Sequence, residues 1–387
     1  MVYVLLGESR DESEYLVDTF QNAKEYGSVL RVKSQDYTKL ESDIDALSPL
    51  DRGIYAVKAK QLVHQANILS RKYTIVVTNP PYMANGKFDK NLKTYINNYY
   101  PDSKSDLYSV FMEVCLNFVE DKGYVSMINM QSWMFLTGQE KLRNMLQANS
   151  SILGMIHLGP GAFPEMVGDV LQTTMFTLQK GATSRAGDYI RAIESRDSYQ
   201  KERLSLAAIA DENHELRYRA SNADFDVFPG KIIAYWASEG VKRVFMVGEP
   251  IANDERFLRQ GMATGDNDRY TRMWYEVEKC KVNYTAASIS DALDSGSKWF
   301  PFNKGGGFRR WYGNNDLLIA FDSKNYKDLC GMGNHVPSKP FQFRPALTWS
   351  KITSTAIAFR YKNLGTTCSD AGMSIFGSDS ELKYIQG

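Results

Sequence analysis

The stretch "KYTIVVTNPPYM", Lys72 to Met83, decides the reading of this chain. The apolar run Thr74–Val77 meets Thr78, Asn79, two prolines and Tyr82. A short β-branched run bounded by Pro-Pro predicts a buried strand over Thr74–Val77, with Thr78-Asn79 at its C-terminal end. In an open α/β sheet, ligands bind beyond the carboxyl ends of the strands, so Asn79 falls at the site. Pro80 and Pro81 fix φ and remove two N–H donors, which leaves stiff backbone with carbonyls that have no local donor. The side-chain oxygen of Asn79 and the carbonyl of Pro80 together suit a planar –NH2 group. Two hydrogen bonds accepted from an exocyclic amine draw its lone pair out of ring conjugation and make the nitrogen a better nucleophile. Tyr82 offers a flat face to the ring that carries the amine. An adenine or cytosine would have to be flipped out of a duplex to reach it, at a cost of a few kcal/mol. A lone Asn-Pro starts many ordinary turns. Four such residues directly after a strand, inside a strand–helix repeat, are a more specific signal.

Outward from this stretch, the first half alternates strands and helices. Val2–Leu6 reads as a strand, Asp11–Tyr26 as a helix stopped at Gly27, and Tyr55–Ser70 as the helix before the Thr74 strand. Met83 to about Ser105 reads as a long polar loop rich in Lys and Tyr. There Lys87 and Lys90, with Lys93 and Lys104, can hold phosphates while Phe88, Tyr95, Tyr99 and Tyr100 close over a flipped base; a solvated, mobile loop is the equal alternative. Asp106 is the expected N-cap of "DLYSVFMEVCLNFVED", followed by the strand "GYVSMINM" and the helix "GQEKLRNMLQANS". Ile152–Leu158 and Leu171–Lys180 are expected as an antiparallel pair at the edge of a mostly parallel sheet. His157 reads as a satisfied core residue.

Bulk properties exclude several classes. The 387 residues carry a net charge of +1, so no whole-chain field argues for nucleic acid, and any such argument must be local. The four Cys and four His are dispersed, which predicts no metal site and free thiols in a reducing, cytoplasmic setting. No apolar run is long enough to span a membrane. The composition is local in another sense: Lys298–Lys351 holds nine Lys or Arg against three Asp, interleaved with rings such as Trp299, Phe302, Phe308, Trp311, Tyr312 and Phe343. Cations that neutralise phosphates beside rings that stack on bases are what a nucleic-acid groove needs. Within it, "KGGGFRR" presents Lys304, Arg309 and Arg310 on a glycine bend, without the G-K-[ST] of a phosphate-binding P-loop. An irregular domain whose rings are core and whose lysines are solvated is the alternative.

"NPPY" after an apolar strand resembles the catalytic motif of amino-group methyltransferases that use S-adenosylmethionine. The order of elements over residues 1–180 is similar to adenine-specific DNA methyltransferases whose cofactor motif precedes the catalytic one. "GMATGDNDRYTRMWYEV", "KWFPFNKGGGFRRWYGN", "TWSKITSTAIAFRY" and "CSDAGMSIF" resemble the downstream region of the PglX-type adenine methyltransferases of BREX phage-defence systems. The resemblance implies an α/β fold. It places a partial Rossmann-like methyltransferase core at residues 1–181, a connecting segment at 182–250 and an α+β target-recognition region at 251–387. It implies S-adenosylmethionine as cofactor and DNA as partner, with other phage-defence subunits as further candidates. Asn79, Pro80, Pro81 and Tyr82 are the implied catalytic residues.

One element of that family is not found. The candidate first strand is followed by "GESRDE", which has a single Gly, and "IHLGPGAF" supplies Gly159-Pro160-Gly161 but leads into a strand rather than a helix. Asp36 matches a ribose-binding acid less well than a solvated turn. The expectation is therefore a chain that lacks the Gly-rich cofactor loop, with "DSELKYIQG" stopping in mid-domain, and that binds S-adenosylmethionine weakly or not at all alone. Two other classes remain at this point. One is a catalytically silent DNA-binding module that needs a missing segment. The other is a methyltransferase acting on a protein glutamine amide.

Overall fold

A computed structural model describes residues 10–46, 53–163, 171–181, 184–253, 256–352 and 356–386. The expected strand Val2–Leu6 lies outside them. The chain forms two compact units, Met1–Gly248 and Glu249–Gly387.

The first unit is built on a six-stranded sheet: β1 Tyr73–Thr78, β2 Val119–Met130, β3 Ser150–Pro160, β4 Gln172–Lys180, β5 Gly187–Arg191 and β6 Arg217–Ala220. Their spatial order is β1-β2-β4-β3-β5-β6. β1 and β2 are parallel, as are β3 and β5, while β4 runs antiparallel to both β2 and β3. The expected antiparallel pair therefore forms, but in the middle of the sheet. The β3–β4 hairpin folds back into the gap that the β2–helix–β3 crossover leaves open. The sheet also continues past Gly181. The apolar residues Tyr189 and Ile190 of β5 are buried against β3, and β6 pairs antiparallel to β5. The segment expected to connect two domains thus completes the first one.

The helices Leu107–Phe118 and Glu140–Asn149 supply Tyr108, Met112, Leu116, Leu142 and Leu146 to one core with Val125, Met127, Phe176 and Leu178 of the sheet. A second cluster joins Arg10–Phe20, Thr38–Ala46 and Gly53–Ser70 through Leu16, Leu40, Ile44 and Val63. The helix expected to run unbroken to Tyr26 is interrupted at Gln21 and Asn22. A short turn of helix, Ala23–Tyr26, follows, with Gly27 after it at φ +54°.

β1 departs from expectation. Among the described residues it is an edge strand, hydrogen-bonded to β2 alone, with one face open. Ile75 is 60% exposed and Val77 72%, while Val76 packs on the core cluster. The register sets Ile75 beside Tyr124 and Val77 beside Ser126. In the same layer further across, Met175 of β4 is 44% exposed.

The stretch expected as a loop after the prolines contains the helix Lys90–Tyr99. Asp89 caps it by accepting from Leu92 N at 2.8 Å, Leu92 and Ile96 are buried, and Tyr100 donates to Val29 O at 2.7 Å. One N-cap and an i, i+4 apolar pair suffice because the tertiary core receives that pair.

The second unit holds two four-stranded sheets, assembled from β7 Phe257–Arg259, β8 Thr271–Met273, β9 Trp299–Asn303, β10 Leu317–Ala320, β11 Ala346–Ser350, β12 Arg360–Lys362, β13 Thr367–Cys368 and β14 Gly372–Phe376. The orders are β13-β9-β10-β8 and β12-β11-β14-β7. Phe300, Phe302, Ile319, Phe321 and Phe343 form its main core. "DSELKYIQG" forms the helix Asp379–Gln386, which buries Leu382 against Leu347 and Ile375.

Candidate active site

Asn79 follows β1 directly and is exposed, as is Pro81, whereas Pro80 is buried and Tyr82 half-buried. Met83 N donates to Asp106 Oδ1 at 3.1 Å, Leu107 N to Met83 O at 2.9 Å and Asn85 N to Ser105 O at 3.2 Å. Asp106 also accepts from Tyr108 N at 3.2 Å, so the expected N-cap clamps the residue after the tetrapeptide as well as starting the helix. Burial raises the Asp106 carboxyl above its ordinary pKa, and the backbone N–H groups at Tyr108, Met83 and Leu107 offset part of that.

Tyr82 is fixed from two sides. Its hydroxyl lies 3.1 Å from Ile128 O and 3.3 Å from Asn79 Oδ1, and its ring meets Tyr108 edge-on at 6.0 Å. One phenolic proton cannot serve both acceptors fully, and Ile128 O is the nearer. Asn79 Oδ1 therefore keeps acceptor capacity for a ligand. Burial, and next the neighbouring Tyr108, push the Tyr82 hydroxyl above its ordinary pKa, so it remains a donor. Tyr108 is held in turn by Ser132 Oγ at 2.7 Å and Gln139 Nε2 at 3.1 Å.

The other expected residues are distributed as follows. Lys87 and Lys90 are exposed near the start of the Lys90–Tyr99 helix, on the same segment as the tetrapeptide. The rings around them face inward. Phe88 and Tyr100 are buried, and Tyr95 stacks on Tyr26 at 4.2 Å, so of the four rings expected to close over a base Tyr99 alone is exposed. In the second unit Lys304 is half-buried, while Arg309 and Arg310 are exposed beside Phe308, Trp311 and Tyr312, all three also exposed. This β9–β10 loop is a built structure. Buried Asn303 donates to Gly313 O and Asn314 O at 3.2 Å and to Asn315 Oδ1 at 2.6 Å, and Ser350 Oγ donates to Gly306 O at 2.8 Å. A Cβ on Gly305 would stand 2.2 Å from Ala371 O, so only glycine lets the two segments meet there. Of the other rings of the region, Phe300, Phe302 and Phe343 are core, as the alternative reading expected.

The candidates for the cofactor do not assemble into a set that would hold S-adenosylmethionine. Gly159 and Gly161 have φ of +63° and +77° because β3 ends against the turn after β5. A Cβ on Gly161 would lie 2.3 Å from Arg196 O, and one on Gly159 would lie 3.1 Å from Ile193 Cβ. These glycines serve packing. Asp36 accepts from Thr38 N at 2.9 Å and from the Thr38 hydroxyl, which lower its carboxyl pKa. It is the turn residue expected.

A cavity of about 500 Å³ opens at the carboxyl ends of β2, β3 and β5, lined among others by Gln131, Phe135, His157, Arg191, Arg196 and Trp236. His157 is 3% exposed, with Nδ1 2.9 Å from Tyr235 Oη and Nε2 2.5 Å from Gln131 Oε1, a satisfied core histidine as expected. Reading the sequence missed this cavity, since Gln131, Arg191 and Trp236 stand in unrelated segments and only the sheet order brings them together.

Residues 12–163 match the Eco57I restriction-modification methylase family. The chain is 34% identical over 377 residues to the adenine-specific methyltransferase PglX of Lacticaseibacillus casei (strain Zhang), covering 93% of this chain and 31% of that protein. It is 29% identical over 373 residues to the adenine-specific methyltransferase BrxX of Escherichia coli O9:H4 (strain HS), covering 94% of this chain and 29% of that protein. The fold is similar to that of a nuclease-deletion mutant of the Type ISP restriction-modification enzyme LlaGI, solved with a DNA substrate mimic. The TM-score there is 0.51 and the identity 11%, over 90% of this chain and 42% of that one. These findings bear out the resemblance drawn from the motifs: along nearly its whole length the chain is related to the adenine-specific methyltransferases PglX and BrxX, and it spans about three-tenths of their length.

Proposed function

We propose that this chain carries the amine-holding end of a DNA adenine-N6 methyltransferase of the restriction-modification or phage-defence kind. The observation that supports it is the geometry at the end of β1. Asn79 is exposed, its side-chain oxygen keeps a lone pair to accept with because the Tyr82 hydroxyl lies nearer Ile128 O, and Pro80 contributes no competing N–H. In this reading Asn79 Oδ1 and the Pro80 carbonyl accept the two N6 protons of a flipped adenine, Pro81 holds the turn, and Tyr82 stacks on the ring. S-adenosylmethionine is the methyl donor the resemblance implies. The described residues supply the amine side alone, and no step at the sulfonium is assigned to them. Arg309, Arg310 and Lys304 in the second unit, with Lys87 and Lys90 in the first, bind phosphates of the DNA.

The test is Asn79→Ala in the full-length protein. With one of two acceptors removed, N6-methyladenine formation should fall by roughly 100-fold or more. Nucleoside mass spectrometry of cellular DNA reads it directly. Because Asn79 is exposed, the variant should melt within a degree or so of the parent. Unchanged methylation would refute the role.

A further inference from the structure

We infer that the cavity at the carboxyl ends of β2, β3 and β5 holds a nucleotide flanking the target base, with its base against Trp236 and its phosphate on Arg191 and Arg196. The inference rests on the reading of the chain as an adenine methyltransferase and adds residues to it. The cavity's 500 Å³ lies within the range of small-ligand sites, large enough for one nucleotide and too small for a helix. Its walls are of two kinds. Phe135 and Trp236 meet edge-on at 5.7 Å and give an apolar, aromatic side. Arg191 lies over the Trp236 ring at 5.2 Å, half-buried, with Nε buried and unpartnered among the described residues, and Arg196 is exposed at the mouth. A ring face beside two guanidinium groups suits a base joined to a phosphodiester. A plain hydrophobic ligand would offer nothing to the buried Nε of Arg191.

The floor is pre-organised. Gln131 is held between His157 and Gln172, and His157 between Gln131 and Tyr235, so the polar groups there are set before any ligand enters. Glu194, exposed, lies 3.7 Å from the Arg191 guanidinium, a weak solvated pair that a phosphate would replace.

Position relative to the catalytic tetrapeptide completes the case. Tyr82 is anchored on Ile128 O, and Gln131 follows three residues later, opening the 3₁₀ turn Gln131–Met134 at the end of β2, within roughly 10 Å, the most that three extended residues span. A strand whose base is held at Asn79 reaches the cavity with one of its next nucleotides. Enzymes that flip a base commonly set sequence context through such flanking positions.

The experiment uses the whole chain, a short fluorescein-labelled DNA duplex, and the same duplex carrying 5-iododeoxyuridine for photocrosslinking. Trp236→Ala and Arg191→Gln should each weaken DNA binding about tenfold, as loss of one base stack or one charged contact does. Trp236→Phe should recover most of the affinity, and peptide mapping should place adducts at Trp236 or Phe135. Thermal melting of each variant separates lost affinity from lost fold. If the parent chain retains DNA, the folded Trp236→Ala and Arg191→Gln variants bind it equally well, and no adduct maps to residues 131–236, the inference falls and the methyltransferase reading stands. If the parent chain retains no DNA under any salt condition, the DNA reading fails and takes the inference with it.

Discussion

Asn79 and His157 are both polar residues at the ends of apolar strands, and their surroundings give them opposite tasks. Asn79 meets solvent and keeps an acceptor free. His157 is enclosed, and its partners dictate its protonation: Gln131 Oε1 can only accept, so Nε2 carries the proton and Nδ1 accepts from Tyr235. Burial first, then the positive Arg191 and Lys201, lower its pKa from the ordinary 6.5 to about 4. The native state thus refuses a proton that the unfolded chain binds between those values. The stability from the neutral ring is complete above pH 6.5 and is lost as pH falls through 4. At about 1.4 kcal/mol per pH unit this is at most about 3.5 kcal/mol. Denaturant unfolding of the parent and His157→Gln across pH 7 to 4 checks it. The parent should lose more stability than the variant within that window, and parallel curves would show that the ring contributes no such linkage. At this scale the sequence was readable. The Asp106 cap, the Asp36 turn and the enclosed His157 each follow from local chemistry. The partner of Tyr82, a backbone carbonyl 46 residues away, does not.

At the scale of elements, β1 is the instructive case. Its apolar run correctly marked a strand, but the expected burial failed on one face because an edge position depends on neighbours that the run itself does not specify. The exposed pair predicts a measurable asymmetry. Ile75→Thr and Val77→Thr should change unfolding free energy by less than about 0.5 kcal/mol each, since both side chains are already in water. Phe176→Ala, on the enclosed face of the same sheet, should cost about 3–5 kcal/mol. Thermal or urea denaturation of the three variants decides it. A large loss at Val77 would show that the open face is covered in solution. The Lys90–Tyr99 helix was missed for a related reason. Its polar composition reads as loop, and it is the burial of Leu92 and Ile96 in a cluster with Val110 and Val114 that stabilises it.

For the whole molecule, the proposed function separates gripping the amine from gripping the methyl donor. The Gly159 and Gly161 turns are occupied by packing and Asp36 by its own turn, so none of these three candidates cradles the methionine or ribose part of S-adenosylmethionine. Isothermal calorimetry on this chain should therefore show no saturable binding of S-adenosylmethionine at micromolar concentrations. A micromolar Kd would mean that residues assigned here to packing rearrange to form a cofactor site. By itself the sequence determined the motif at the end of β1, the α/β class and the cationic, aromatic loop of the second unit, because these rest on local periodicity, proline geometry and composition. Only the tertiary structure decided that β4 enters the middle of the sheet, that β5 and β6 extend it, and that Gln131, His157, Arg191 and Trp236 share one cavity. Strand order and the convergence of distant side chains depend on which elements bury one another, and no local window of residues encodes that choice.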